Sequence, residues 1–235
     1  MGTKIYTCVV CQAARTEIVP KSLPISKPNP EPNPPTPKVS KQPSVKIKAG
    51  KKSMTLGWIR IKDADGYDIF FARCNHSHKK IVCKKVKNIK GNNIFTWKKS
   101  GLKKGIAYKS YVKAYVIKNG KKKYVYTSPV MHAYTGNGTK KYTNAKSVSL
   151  KNVKKGKLTL KKGKTFKIKA KVKKVKKNKK LFPKNHVPTL RYMTSDKKIA
   201  TVSKSGKITA KAKGKCAIYA YAHNGVCKKV KVTVK

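Results

Sequence analysis

Six cysteines, five histidines and six acids are the residues with which this 235-residue chain could do chemistry. Cys8 and Cys11 stand at Cys-x-x-Cys spacing, which leaves three readings open: a structural remnant or local disulfide, half of a metal site, or a redox pair. A tetrahedral zinc site needs two further ligands. There is no second close cysteine pair, although His76 and His78 are candidates to complete a set. A redox pair would need a strand-helix-strand context that is absent. Cys74 and Cys83 bracket Asn75–Val82 at the ends of two neighbouring strands of one hairpin. Cα separations near 5.5 Å are then within reach, so a disulfide across the hairpin is expected, and with it an oxidising compartment. Cys216 and Cys227 also lie on adjacent strands. The Asn224-Gly225 turn, however, sets position 216 opposite about 232–233, so no bond between them is expected. His132, His186 and His223 read as isolated polar residues, and His76-Ser77-His78 as a solvated loop.

The acids are Glu17, Glu31, Asp63, Asp65, Asp68 and Asp196. Asp63, Asp65 and Asp68 resemble a calcium loop only superficially. Ala64-Asp65-Gly66-Tyr67 fits a β-turn, and the surrounding cations oppose capture of a metal ion. With so few carboxylates an internal isopeptide bond is not expected. No phosphate loop, nucleophile elbow or zinc-protease motif is present. The chain reads as a non-enzyme without a cofactor.

Elements that would position these residues are written in lysine. Lys and Arg together number 61, for a formal net charge of +55. They alternate with apolar residues, as in Lys164-Thr165-Phe166-Lys167-Ile168-Lys169-Ala170-Lys171-Val172-Lys173 and again in Val230–Lys235. A period of two places apolar side chains on one face of a strand and ammonium groups on the other. The expected fold is therefore all-β, with a packed inner face and a lysine outer face.

Five segments follow. Residues 1–19 hold the Cys-x-x-Cys. Residues 20–43 are proline-rich, a semi-rigid spacer reaching on the order of 70 Å at about 3.1 Å per residue. Residues 44–135 and 146–235 each carry short strands between Gly and Asn turns, the pattern of a β-sandwich. Residues 136–145 read as a joint. Asn119-Gly120 marks a hairpin. Leu102, six residues before Tyr108, suits a tyrosine corner.

Charge of this size repels itself and draws polyanions. Arg is confined to Arg15, Arg60, Arg73 and Arg191, so the attraction is diffuse and not base-reading. Lysine also solvates surfaces and blunts sheet edges. The densest candidate patches for an anionic polymer are Lys121, Lys122 and Lys123, and Lys173, Lys174, Lys176, Lys177, Lys179 and Lys180. Teichoic acid, extracellular nucleic acid or a sulfated glycan would be held there by counterion release. No run of apolar residues is long enough to span a membrane, and Met1–Lys4 begins no signal peptide.

Two stretches carry family resemblances. Thr194–Ser203, Ser205–Lys211, Gly214–Ala220 and Lys229–Val234 resemble the bacterial immunoglobulin-like domain, group 2. Met54–Trp58, Ala64–Ile69, Gly101–Tyr108 and Ser128-Pro129-Val130 resemble a fibronectin type III domain of Gram-positive gut bacteria. Residues 5–20 look like the closing half of a small repeat found in large surface proteins of such bacteria. Together these resemblances imply two tandem immunoglobulin-like sandwiches in the C-terminal piece of a longer exported protein, outside the cell or at its surface. They imply a structural or adhesive role whose partners are anionic polymers, copies of the chain itself or other surface proteins, without membrane insertion. The alternative is a lysine-rich polyanion-binding module.

Overall fold

In the strands that open the first sandwich, alternation of apolar residues with lysine or small residues goes with burial of the apolar set. In Val45–Ala49, Val45 and Ile47 are buried while Lys46 and Lys48 are exposed; in Met54–Trp58, Met54, Leu56 and Trp58 point inward. Each such side chain, wholly removed from water, contributes about 1.5–3 kcal/mol. The computed structural model describes residues 2–7, 14–19, 45–74 and 81–235, and these fall in two units, Met1–Thr36 and Pro37–Lys235. In the first unit, β1 (Gly2–Thr7) and β2 (Ala14–Val19) form an antiparallel hairpin. Cys8, Cys11, the proline-rich segment and His76-Ser77-His78 lie outside the described residues.

The second unit begins with a module of eight strands, the last two of which are two parts of one interrupted seventh strand. One sheet has β3 (Val45–Ala49), β4 (Met54–Trp58) and β7 (Thr96–Lys99), with β4 central. Facing it are β5 (Gly66–Arg73), β6 (Lys84–Lys90), β8 (Ala107–Lys118), β9 (Lys121–Thr127) and β10 (Met131–Tyr134). The long β8 pairs with β9 through its C-terminal half and with β10 through its N-terminal half. Pro129, which has no N–H, interrupts this seventh strand. The Ser128 hydroxyl restores the ladder by accepting from Val112 N (3.0 Å), while Ser128 N donates to Val112 O (2.9 Å). Asn119 and Gly120 both have positive φ, 50° and 70°, as a two-residue hairpin turn requires. Tyr108 makes the expected corner, its hydroxyl accepting from Lys103 N at 3.2 Å.

Asp68 sits on β5 and not in the preceding turn. It is fully buried and accepts from Tyr124 Oη (2.7 Å), Asn88 Nδ2 (2.6 Å) and Lys122 Nζ (3.1 Å). Burial alone would raise its pKa, yet the hydrogen bonds from Tyr124, Asn88 and Lys122 outweigh that and hold the carboxyl below its ordinary value.

Nine further strands complete the unit. β12 (Lys157–Leu160), β19 (Cys227–Val234), β18 (Gly214–Tyr221) and β15 (Arg191–Thr194) form one sheet; β13 (Thr165–Lys167), β17 (Lys207–Ala210) and β16 (Ala200–Val202) form another; and β11 (Ala145–Leu150) pairs with β14 (Ala170–Lys174). Two short 3-10 turns, Thr135–Asn137 and Lys154–Gly156, are the helical elements among the described residues. β12 runs parallel to β19 and the other pairs are antiparallel. Alternation predicts one strand over Phe166–Val172. In the structure the chain changes sheets there, from β13 to β14, and Ile168 is buried between them. Asn152 stitches the crossing by donating to Lys167 O and accepting from Lys169 N, each at 2.7 Å. All-β architecture in tandem sandwiches is thus what the alternation predicts.

Candidate functional site

The two modules meet over a dense set of polar and apolar contacts. From Ala217 to Val226 every residue is buried, because the end of β18 and the turn after it are covered on a second side by the first module. That turn is Asn224-Gly225. Gly225 has φ +82°, and a Cβ there would lie 2.0 Å from Val45 O on β3, so only glycine lets the two backbones approach this closely. Ile47 N donates to Asn224 O (2.9 Å) and His132 N to His223 O (2.7 Å). Asn224 Nδ2 reaches Ala145 O at 2.9 Å.

Segment 136–145 is folded into this contact. Asn144, buried, accepts from Tyr134 N (2.9 Å) and donates to Tyr134 O (2.7 Å), imitating a strand neighbour. Arg191 of β15 donates to Val130 O at 2.8 Å, and its guanidinium lies 4.7 Å from the centre of the Tyr221 ring. Tyr221 in turn joins the apolar core of the first module, with Met193 packed beside it.

Beside this seam lies a cluster of rings. Phe182 stacks on Tyr134 (centroids 4.2 Å) and meets His223 (4.7 Å), His132 (5.9 Å) and His186 (5.9 Å). His132 and His186 are 5.1 Å apart, nearly perpendicular. Cys74, just beyond β5, belongs to the same cluster through Ala107, Tyr134, Phe182 and Val187. One ligand-type atom each from Cys74, His132 and His186 lies within 4.8 Å of the others. Burial pushes the Cys74 thiol up to about 12. Burial, with His186 and Arg191 nearby, pushes His132 down to about 3, and burial does the same to His223. The histidines that read as isolated in sequence are therefore gathered, and burial favours the neutral form of His132 and His223.

Other expected sites fall as follows. Cys74 and Cys83 are buried free thiols, so the expected hairpin disulfide is not formed in the structure. Register supplies the reason. Phe71 opposes Lys84, which carries Cys83 beside Ala72, two residues short of Cys74; such diagonal positions are about 7–8 Å apart. Cys83 Sγ instead points to Lys109 O at 3.8 Å. Cys216 opposes Val232, as the turn requires, and Cys216 and Cys227 are free.

Of the lysine patches, Lys121, Lys123, Lys173, Lys176, Lys177 and Lys180 are exposed. Lys122 is engaged with Asp68 and lies 3.9 Å from the Tyr115 ring centre. Lys174 donates to Lys179 O and Lys179 to Thr139 O, each at 2.6 Å, so both ammonium groups turn onto backbone.

A family model described as bacterial Ig-like domain (group 2) matches residues 147–234. A search among curated proteins finds no match. Among solved structures, the fn3 domain of human contactin 1 is 17% identical, with 39% of this chain and 72% of that chain covered and a TM-score of 0.30. The third fibronectin III domain of human KIAA0343 protein is 16% identical over 40% and 80%, at 0.31. A structure titled "Myokine structure" is 14% identical over 40% and 98%, at 0.30. The strand order agrees with the fibronectin type III fold: first, second and fifth strands form one sheet, and fourth, third, sixth and seventh the other. Such modules are generally non-catalytic binding or structural units. Residues 147–234 thus match the bacterial Ig-like domain of group 2, and the module before them has a fibronectin type III-like strand order.

Proposed function

We propose that this chain is a non-catalytic structural or adhesive segment of a bacterial surface or secreted protein, in which the two sandwiches act as one stiff rod. The observation that carries this reading is the seating of the Asn224-Gly225 turn on β3, where a single added carbon has no room. A freely jointed pair of modules would need no such glycine. Buried Asn144 and half-buried Arg191 add directional bonds across the same seam, and directional bonds resist hinge motion in a way that apolar contact alone does not. A spacer must transmit position over distance, and a joint with two-sided burial serves that end. The proline-rich residues 20–43 would set the reach of the rod from whatever precedes it.

Limited proteolysis tests the reading. Cleavage at about residues 20–43, leaving a fragment that contains both sandwiches, is expected. Early cleavage within 136–145 would refute a stiff joint.

A diffuse polyanion grip is the second reading, and the exposed Lys173, Lys176, Lys177 and Lys180 favour it. It requires affinity that falls steeply between 50 and 200 mM salt, by a slope of about −0.9 in log K per phosphate neutralised on duplex DNA. Absence of binding at low salt would leave the rod alone.

A further inference from the structure

We propose that Cys74, His132 and His186 form a site for a thiolate-seeking transition ion, zinc(II) above all, that clasps the two modules together. The donor set comes from three separate places. Cys74 follows β5, with its N–H fixed on Ala107 O at 2.8 Å. His132 is the second residue of β10. His186 belongs to the second module, in a turn closed by its own N–H to Pro183 O at 3.0 Å. The first two ligands belong to the fibronectin-like module and the third to the Ig-like module, so an ion bound here closes a cross-link over the seam.

Chemistry of the donors selects the ion. One thiolate and two imidazoles, without a carboxylate, suit zinc or copper(I) and not calcium or magnesium. Donors around a tetrahedral zinc at about 2.0–2.3 Å stand roughly 3.3–3.7 Å from one another. The three atoms here lie within 4.8 Å, so side-chain rotations of about an ångström close the set. A water would take the fourth position.

His132 supplies an independent observation. Its relative exposure is 9%, and its Nδ1 is buried without a hydrogen-bond partner. A buried, unsatisfied imidazole nitrogen is a cost to the fold that a metal bond would remove. Phe182 and Tyr134 surround the set with apolar rings, a shell that keeps competing water out. A groove of about 510 Å³ lies on the Cys74 side of the set, lined also by Arg73, Ile81, Ile106 and Tyr134. Opposing capture are the cations Lys109 and Arg191, both close enough to bias the cluster. The thiolate formed when the ion displaces the thiol proton is what offsets them. The bookkeeping is one proton released per ion bound, with no change of oxidation state. This inference does not depend on the rod reading, since a flexible pair could also be clasped.

The test uses the full chain carrying Cys8→Ser and Cys11→Ser, kept reduced and stripped of metal, and titrated with cobalt(II). A sulfur-to-cobalt charge-transfer band with four-coordinate visible bands, saturating at one ion per chain and erased by zinc(II), is expected. Cys74→Ser should abolish the charge-transfer band, and His186→Ala or His186→Gln should weaken binding at least tenfold. Zinc(II) should raise the unfolding midpoint in proportion to log concentration, and that rise should vanish in the His186 variants even where their metal-free midpoint is unchanged. Retention of the band in Cys74→Ser, binding of copper(I) alone, or no saturable binding overturns the assignment. So does a non-reducing mass spectrum of the chain as purified in which Cys74 is bonded to Cys83.

Discussion

Replacing Gly225 by alanine should undock the two modules, and Gly120 provides the control. Both glycines follow an asparagine and both have positive φ, +82° and +70°. Alanine at such an angle costs about 1–2 kcal/mol at either place. At Gly120 nothing lies within 4 Å of a new Cβ, whereas at Gly225 the Cβ would sit 2.0 Å from Val45 O and 2.9 Å from Lys46 Cα. The turn must therefore lift from β3. It then loses the Ile47–Asn224 bond, whose buried donor costs about 1–3 kcal/mol when left unmet. Gly225→Ala should thus be less stable than Gly120→Ala by about 2–3 kcal/mol, or about 1 M in urea midpoint at a slope of about 2–3 kcal/mol per M. The assay has two probes. Both tryptophans, Trp58 and Trp97, lie in the first module, so their fluorescence reports that module while far-ultraviolet dichroism reports both. The two curves should coincide for the parent and for Gly120→Ala, and separate for Gly225→Ala. Equal midpoints for the two variants, with coincident curves, would refute the reasoning.

Three further outcomes are expected. Asn144→Ala removes two bonds to the buried Tyr134 backbone and should cost about 2–4 kcal/mol in urea unfolding; a loss under about 0.5 kcal/mol would contradict its place at the seam. Asp68 is held below its ordinary pKa when folded, so its contribution is fully present above pH about 4 and is lost as pH falls through the lower, folded value. Asp68→Asn should cost about 2–4 kcal/mol at pH 7, and its stability should fall less than the parent's between pH 4 and 2. Tyr108→Phe leaves Lys103 N without its acceptor and should lower stability by about 1 kcal/mol, measured by the same denaturation.

Period-two alternation was enough to read the sandwiches, because lysine marks the outer face so consistently that strand and burial are visible together. The tyrosine corner and the Asn-Gly hairpins were legible for the same local reason. What alternation cannot reveal is where a strand changes sheets, since Phe166–Val172 keeps its pattern through the crossing at Ile168. Asp68 was hidden by its neighbours Asp63 and Asp65, which do lie at the turn. The seam left a signal of a different kind. Residues 124–139 and 216–227 contain no lysine, and these windows hold His132, Tyr134, Tyr221, His223 and Gly225. Loss of the outward cation marks a strand covered on both faces. His186 lies in a turn with no periodicity at all, so its meeting with Cys74 and His132 depends on the docking of whole modules.

Central to all of this is that the two sandwiches share one orientation. Residual dipolar couplings of backbone amides, measured on the full chain in a weakly aligning medium, test it most directly. One alignment tensor should fit amides of residues 45–135 and 146–235 together. Two tensors differing in magnitude and direction would mean that the modules tumble apart and the seam does not hold.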